Sequence, residues 1–193
     1  MFSTKPLVIG TTGLAGSGKS ILSEVATSMG FKVVVMGDVV REAATERGLA
    51  PSPQTLGEVM LDLRSKEGPS AIADRCIPEV STTHATRVLI EGLRSSEEVM
   101  RFKQEFGVFP VVAVHSSPES RYRRLVKRRR ERPDDPTALH EFQERDKREL
   151  SVGLGDVVAL ADYHIVNEGS VEGFRTEGKK VLSKVVDDAE GRS

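Results

Sequence analysis

The run Gly13-Leu14-Ala15-Gly16-Ser17-Gly18-Lys19-Ser20 constrains this chain more than any other feature it has. It matches the pattern G-x-x-x-x-G-K-[ST] in full, a pattern that works only between a strand and a helix. The glycines let the backbone fold tightly and turn its N–H groups inward. Those donors and the positive end of the following helix form a cavity for phosphate oxygens. Lys19 is then within reach of the terminal phosphates of a nucleoside triphosphate, and the Ser20 hydroxyl offers an oxygen to Mg²⁺. The flanks agree. Leu7-Val8-Ile9-Gly10 is a short apolar strand, and Ile21, Leu22, Val25, Ala26 and Met29 repeat at helical spacing.

Four more strands come after it, each separated from the next by helical pattern. They are predicted over Phe31–Met36, Arg87–Ile90, Pro110–Val114 and Tyr163–Val166. Helices are predicted from about Asp38 to Arg47, from Pro53 behind a Ser52 cap, over Pro69–Val80, and behind a Ser95–Glu98 capping box. Ser117-Pro118 and Asp135-Pro136 open two more, and Val171 to Val185 marks the last. Strands alternating with helices give an α/β fold with a parallel sheet covered on both faces. Ligands then sit at the carboxyl ends of the strands, where every motif here falls.

Composition narrows the class. In 193 residues, 38% hydrophobic and 30% charged is ordinary for a soluble globular enzyme of one domain. The net charge of −1 sets up no global field for nucleic acid or a membrane surface. No apolar run nears the roughly 20 residues that span a bilayer. One cysteine, Cys76, excludes an internal disulfide framework and reads as a buried small residue, so the expected location is the cytoplasm. The four histidines are scattered and form no metal pattern.

Two strand ends carry the acceptor side. Gly37-Asp38-Val39-Val40-Arg41 closes the second strand, and Glu91-Gly92-Leu93-Arg94 closes the third. Both resemble segments of adenylate kinases, the first G-D-x-x-R and the second D-G-F-P-R. The resemblance implies that Arg41 and Arg94 clamp the phosphate of an acceptor, with Asp38 beside them. An arginine suits that task because its planar fork pairs bidentately with phosphate. Glu91 also resembles a Walker B carboxylate, placed to orient Mg²⁺ or polarise the attacking group. Glu stands where that family has Asp, and Leu93 where it has Phe-Pro. Ala161-Asp162-Tyr163-His164-Ile165-Val166-Asn167-Glu168-Gly169 resembles a dephospho-coenzyme A kinase segment that lies beside adenine. It implies that the Asn167 amide and the Gly169 backbone read the base.

From Arg121 to Arg132, eight of twelve residues are basic, and Pro133 to Pro136 then breaks the helix. The stretch reads as a lid whose arginines close on the transferring phosphoryl group, with Arg123, Arg128 and Arg129 as the inward members. A solvated helix face and an RNA-binding patch are the other readings, and the want of stacking aromatics beyond Tyr122 tells against the last.

As a whole the chain resembles an uncharacterised, mainly archaeal family of adenylate-kinase-like P-loop proteins, related to nucleoside monophosphate kinases and dephospho-coenzyme A kinases. That implies a five-stranded parallel sheet of order 2-3-1-4-5. It also implies an acceptor-binding insertion at about 38–85 and a lid at about 123–148. The expected activity moves the γ-phosphoryl group of ATP·Mg²⁺ to a small, phosphorylated acceptor, first a nucleoside monophosphate and next dephospho-coenzyme A. An ATP-dependent switch acting on a partner, RNA included, is the reading from another class. The sequence argues against a GTPase switch, since no N-K-x-D motif is present.

Overall fold

A computed structural model describes residues 6–128, 135–136 and 138–191. Its five strands are β1 (Leu7–Thr12), β2 (Lys32–Val35), β3 (Arg87–Leu93), β4 (Val111–His115) and β5 (Tyr163–Val166). All pairings are parallel, in the order β2-β3-β1-β4-β5. The order that the family resemblance implies holds. The helices are α1 (Lys19–Ser28), α2 (Met36–Glu46), α3 (Pro53–Glu67), α4 (Ala71–Ser81), α5 (Ser96–Phe106), α6 (Pro118–Arg128), α7 (Leu139–Ser151), α8 (Leu154–Ala159) and α9 (Val171–Glu190).

Alternation along the strands splits the core into two layers. In β3, Val88 and Ile90 face one layer, packed on α2, α3 and α4 through Val40, Leu63 and Cys76. Leu89 between them faces the other, packed on α1 and α9 through Leu22, Val25, Phe174 and Leu182. Each fully buried Leu, Val or Phe in these layers stabilises the fold by about 1.5–3 kcal/mol relative to exposure. Cys76 is buried, and desolvation pushes its thiol up to about 12, so it stays protonated and unreactive. No helix among the described residues is long and apolar enough to cross a membrane.

Beyond shifts of a few residues at element ends, two features differ from the sequence reading. α7 begins at Leu139, not at Asp135-Pro136. Asp135 is buried and its carboxylate takes Arg128 and Arg145, while Glu141 accepts the Ala138 N–H at the helix start. The six-residue α8 has no counterpart in that reading. It begins after Gly153, in the left-handed region at φ 101°, and is too short to show a helical period.

Candidate functional site

The loop from Gly13 to Gly18 has the shape its glycines demand. Gly13, Gly16 and Gly18 take φ of 139°, 80° and 115°. A Cβ on them would lie 2.2 Å from Val114 O, 2.7 Å from Arg121 O and 2.3 Å from Asn167 Nδ2. No side chain fits at any of the three. Gly18 caps α1 without a side-chain acceptor, and the first turn holds no acidic residue. The leading amides of α1 are therefore left for an anion.

Lys19 lies folded back over the loop, donating from Nζ to the carbonyls of Gly13 and Leu14. Burial lowers its pKa to about 8, and the charges of Glu149 and Glu91 offset part of that. Ser17 is 1% exposed, and its Oγ has no hydrogen-bond partner among the described residues. These are features of a cradle built for charge that a ligand brings.

The loop is held from beneath by α6 and the end of β5. Arg121 is 2% exposed and bidentate on Asp146 at 2.9 and 2.6 Å, donates to Ala15 O at 3.2 Å, and lies 4.8 Å over the Phe142 ring. Arg124 donates to Gly16 O (3.3 Å), Ser116 Oγ (2.8 Å) and Asn167 O (2.7 Å). Asn167 is buried, and its Nδ2 donates to Ser17 O at 2.8 Å. That corrects the sequence reading of Asn167. Its amide is a strut under the phosphate loop and is not turned to a base. Gly169 is exposed, with open space where a Cβ would stand.

A cavity of about 860 Å³ opens in front of the loop. Ser20 and Glu91 share its wall, and Ser23 on α1 donates to Glu91 Oε2 at 2.6 Å. These are hard oxygen donors side by side, the chemistry that Mg²⁺ prefers. Gly169 lines the same cavity, as do the apolar side chains of Ile21, Val126 and Val171.

A bulge at Gly92 (φ 105°) breaks the β1–β3 register between Thr11 and Thr12. Such bulges re-aim side chains, and both Glu91 and Arg94 reach the cavity. Glu98 fixes the chain just past the strand: its Oε2 takes the N–H groups of Arg94 (2.7 Å) and Ser95 (3.3 Å), completing the capping box expected there. Arg94 then meets Arg41, Arg145 and Arg148 in a recess of about 60 Å³ beside the main cavity. Asp38 holds Arg41 at 2.5 Å. Val40, Leu56 and Met60 form the apolar floor. Arg148 donates to Pro53 O at 3.0 Å and lies against Gly57, where a Cβ would be 2.3 Å from its Nε. Glu149, 5% exposed, lines both recess and cavity. Arg94 and Arg145, with Lys19 behind them, outweigh its burial and hold its carboxyl down at about 2.

Most of the residues expected at the site thus converge: Gly13 to Ser20 form the loop, and Arg41, Glu91, Arg94 and Arg128 line one cavity. Arg128 is also bidentate on Asp135 at 2.6 and 2.8 Å. Arg123 is not brought there. It is exposed on the opposite face of α6, while Arg121, Arg124 and Arg128 share the inner face at spacings of three and four. Arg129 lies outside the described residues. Arg121, Arg124, Arg145, Arg148 and Glu149 escape the sequence reading. The spacing in α6 carries a signal for the first two; nothing local in α7 distinguishes the others from a solvated charged helix.

A family model described as an AAA domain matches residues 12–141. A UPF0200 protein of Hyperthermus butylicus is 46% identical over 179 residues, covering 93% of this chain and 95% of the relative. Among solved structures, a gluconokinase from Sinorhizobium meliloti superposes with a TM-score of 0.60 at 14% identity, covering 98% of both chains. A shikimate kinase from Acinetobacter baumannii, in complex with shikimate, gives a TM-score of 0.53 at 18% identity and covers 95% of this chain and 94% of its own. At such identities these two likenesses concern the fold.

Proposed function

This chain belongs to the UPF0200 family and carries its AAA domain on a P-loop kinase-like fold, and from that premise we propose that it moves the γ-phosphoryl group of ATP to a small anionic acceptor. One observation carries the reading. The phosphate-loop cavity and a recess with four guanidinium groups share Arg41, Arg94, Arg145 and Glu149 in their walls. A nucleotide switch has no use for a second anion site at the end of its triphosphate; a phosphotransferase needs one.

In this scheme the loop amides and Lys19 hold the terminal phosphates, and Arg124 and Arg128 approach from α6. Arg41, Arg94, Arg145 and Arg148 bind the anionic group of the acceptor. Magnesium bound with ATP would neutralise phosphate charge, held at the Ser20 hydroxyl with Glu91 behind it. Catalysis is positioning plus stabilisation of spreading charge, since the protein need form no covalent bond. A nucleoside monophosphate and dephospho-coenzyme A both offer the required anion. The gluconokinase and shikimate kinase neighbours, whose names pair them with small hydroxylated acids, widen that choice.

The test is ADP release from ATP·Mg²⁺ across a panel of phosphorylated and carboxylated acceptors. Turnover should depend on the acceptor, and Arg94→Ala should remove that dependence while leaving ADP binding intact. Turnover without any acceptor, unchanged in Arg94→Ala, would instead favour a nucleotide-dependent switch.

A further inference from the structure

Glu149 is a buried carboxylate in a pocket otherwise lined by arginines, two of which hold it. Arg145 Nε approaches at 3.3 Å and Arg94 at 3.5 Å, and both meet the same oxygen, Oε1. The side chain stands where the recess meets the cavity of the phosphate loop, close enough for its charge and that of Lys19 to shift each other. A nucleophile travelling from the arginine recess to the terminal phosphate passes this junction.

We propose that the Glu149 carboxylate accepts the hydrogen bond of an attacking hydroxyl group, so that the acceptor is an anionic alcohol and the product a phosphate ester. The inference rests on the phosphotransferase reading above and sharpens it. A phosphate dianion arriving as nucleophile would face this carboxylate with like charge and no proton to share. An alcohol brings a donor to this carboxylate, while its own carboxylate or phosphate group satisfies the arginines.

The chemistry balances. The acceptor oxygen bonds to the γ-phosphorus, the bond from that phosphorus to the β,γ-bridging oxygen breaks, and ADP leaves with that electron pair. The hydroxyl proton passes to Glu149 and on to solvent. A carboxylate held ionised is a weak base. In a loose transition state, though, the proton departs only after the new bond has formed, when the oxygen has become strongly acidic.

The experiment gives the full-length protein ATP·Mg²⁺ with hydroxy acids, phosphorylated alcohols and nucleoside monophosphates, and reads products by phosphorus NMR. An ester resonance is expected. Glu149→Gln should lower kcat by about 100-fold with the acceptor KM changed less than about threefold. A residue that merely steadied the arginines would move KM instead. ADP·Mg²⁺ affinity by calorimetry should stay within about twofold. Slow hydrolysis without acceptor should fall by a similar factor as kcat, since water is the smallest hydroxyl nucleophile; this comparison decides the matter even if no panel member is accepted. An anhydride product, or hydrolysis unchanged in Glu149→Gln, overturns the inference and leaves phosphoryl transfer standing. Loss of ATP binding in the wild-type protein would strike the phosphotransferase reading itself.

Discussion

Between Gly13 and Ser20, eight consecutive residues supply a phosphate site made mostly of backbone. Across the cavity, the acceptor recess is made of side chains drawn from α2, α3, the end of β3 and α7, with Arg41 and Arg148 more than a hundred positions apart. The first region is fixed by sterics: three glycines at positive φ leave no room for a Cβ. The second is fixed by charge, with Asp38, Glu98 and Glu149 each aiming an arginine or the backbone that carries it. A site of the first kind has one shape; one of the second kind can be retuned by exchanging a few side chains. A common loop can thus serve many acceptors.

The largest effect expected from breaking either side is at the loop. Lys19→Met should lower ATP turnover by about 10³-fold, roughly 4 kcal/mol of transition-state stabilisation, in an ADP-release assay. Lys19 also gives the loop a pH signature. Its folded pKa of about 8 lies below the ordinary 10.5, because burial disfavours the charge. Between those values the unfolded chain holds a proton that the folded chain has released. The ligand-free protein therefore gains stability as pH rises through that window, where a lysine paired with a carboxylate would lose it. Triphosphate affinity should run the other way and weaken above about pH 8, with Lys19→Met flat in the same calorimetric series.

The strut beneath the loop comes next. Arg121→Ala takes from Asp146 its bidentate partner. Losing one partner of a buried pair costs about 3 kcal/mol or more. For a chain of this size the melting temperature should drop by roughly 10 °C. Because Arg121 also holds Ala15 O, ADP affinity should fall in the folded variant. Unchanged affinity would show that the loop needs no support from α6.

How far each region can be read from the sequence depends on the same division. The loop is legible to the residue, since its chemistry is local and its spacing is set by the backbone. Strands alternating with helices give the parallel sheet, but its order comes only through the family resemblance. Arg41 and Arg94 are legible because each lies just past a strand end in a segment that resembles an adenylate-kinase motif. Arg145, Arg148 and Glu149 are not, because on α7 they look like any charged helix face. Only the fold brings that face against α3 and the loop. Asn167 fails differently. Its position is right and its expected role wrong, because the Ser17 carbonyl, 150 residues away, claims the amide.

Gly57 tests whether the charged side can be altered without touching the loop. Alanine there gains about 1 kcal/mol of helix propensity but pushes on the Arg148 guanidinium. The arginine can swing away at the loss of its bond to Pro53 O, worth about 1 kcal/mol or somewhat more for a charged donor. The two nearly cancel, so Gly57→Ala should unfold in denaturant within about 1 kcal/mol of wild type. ADP affinity should not move. The acceptor KM should rise several-fold, because Arg148 no longer closes the recess.

The smallest effect belongs to Arg123, and it is informative for that reason. On α6 it sits one position before Arg124, so about 100° of helix rotation separates their side chains. Arg124 grips Gly16, Ser116 and Asn167 from the inner face, whereas Arg123 is exposed. Arg123→Ala should change stability by less than about 0.5 kcal/mol and turnover by less than twofold. Arg124→Ala should weaken ADP binding by tenfold or more, since it removes hydrogen bonds from a charged donor and leaves carbonyls beneath the loop without it. If the two variants behaved alike, the basic stretch would act through its total charge, as a solvated face or an RNA-binding patch does, and turnover in both would fall with added salt in parallel. A divergence that persists at high salt requires specific contacts, which only the inner face of α6 makes.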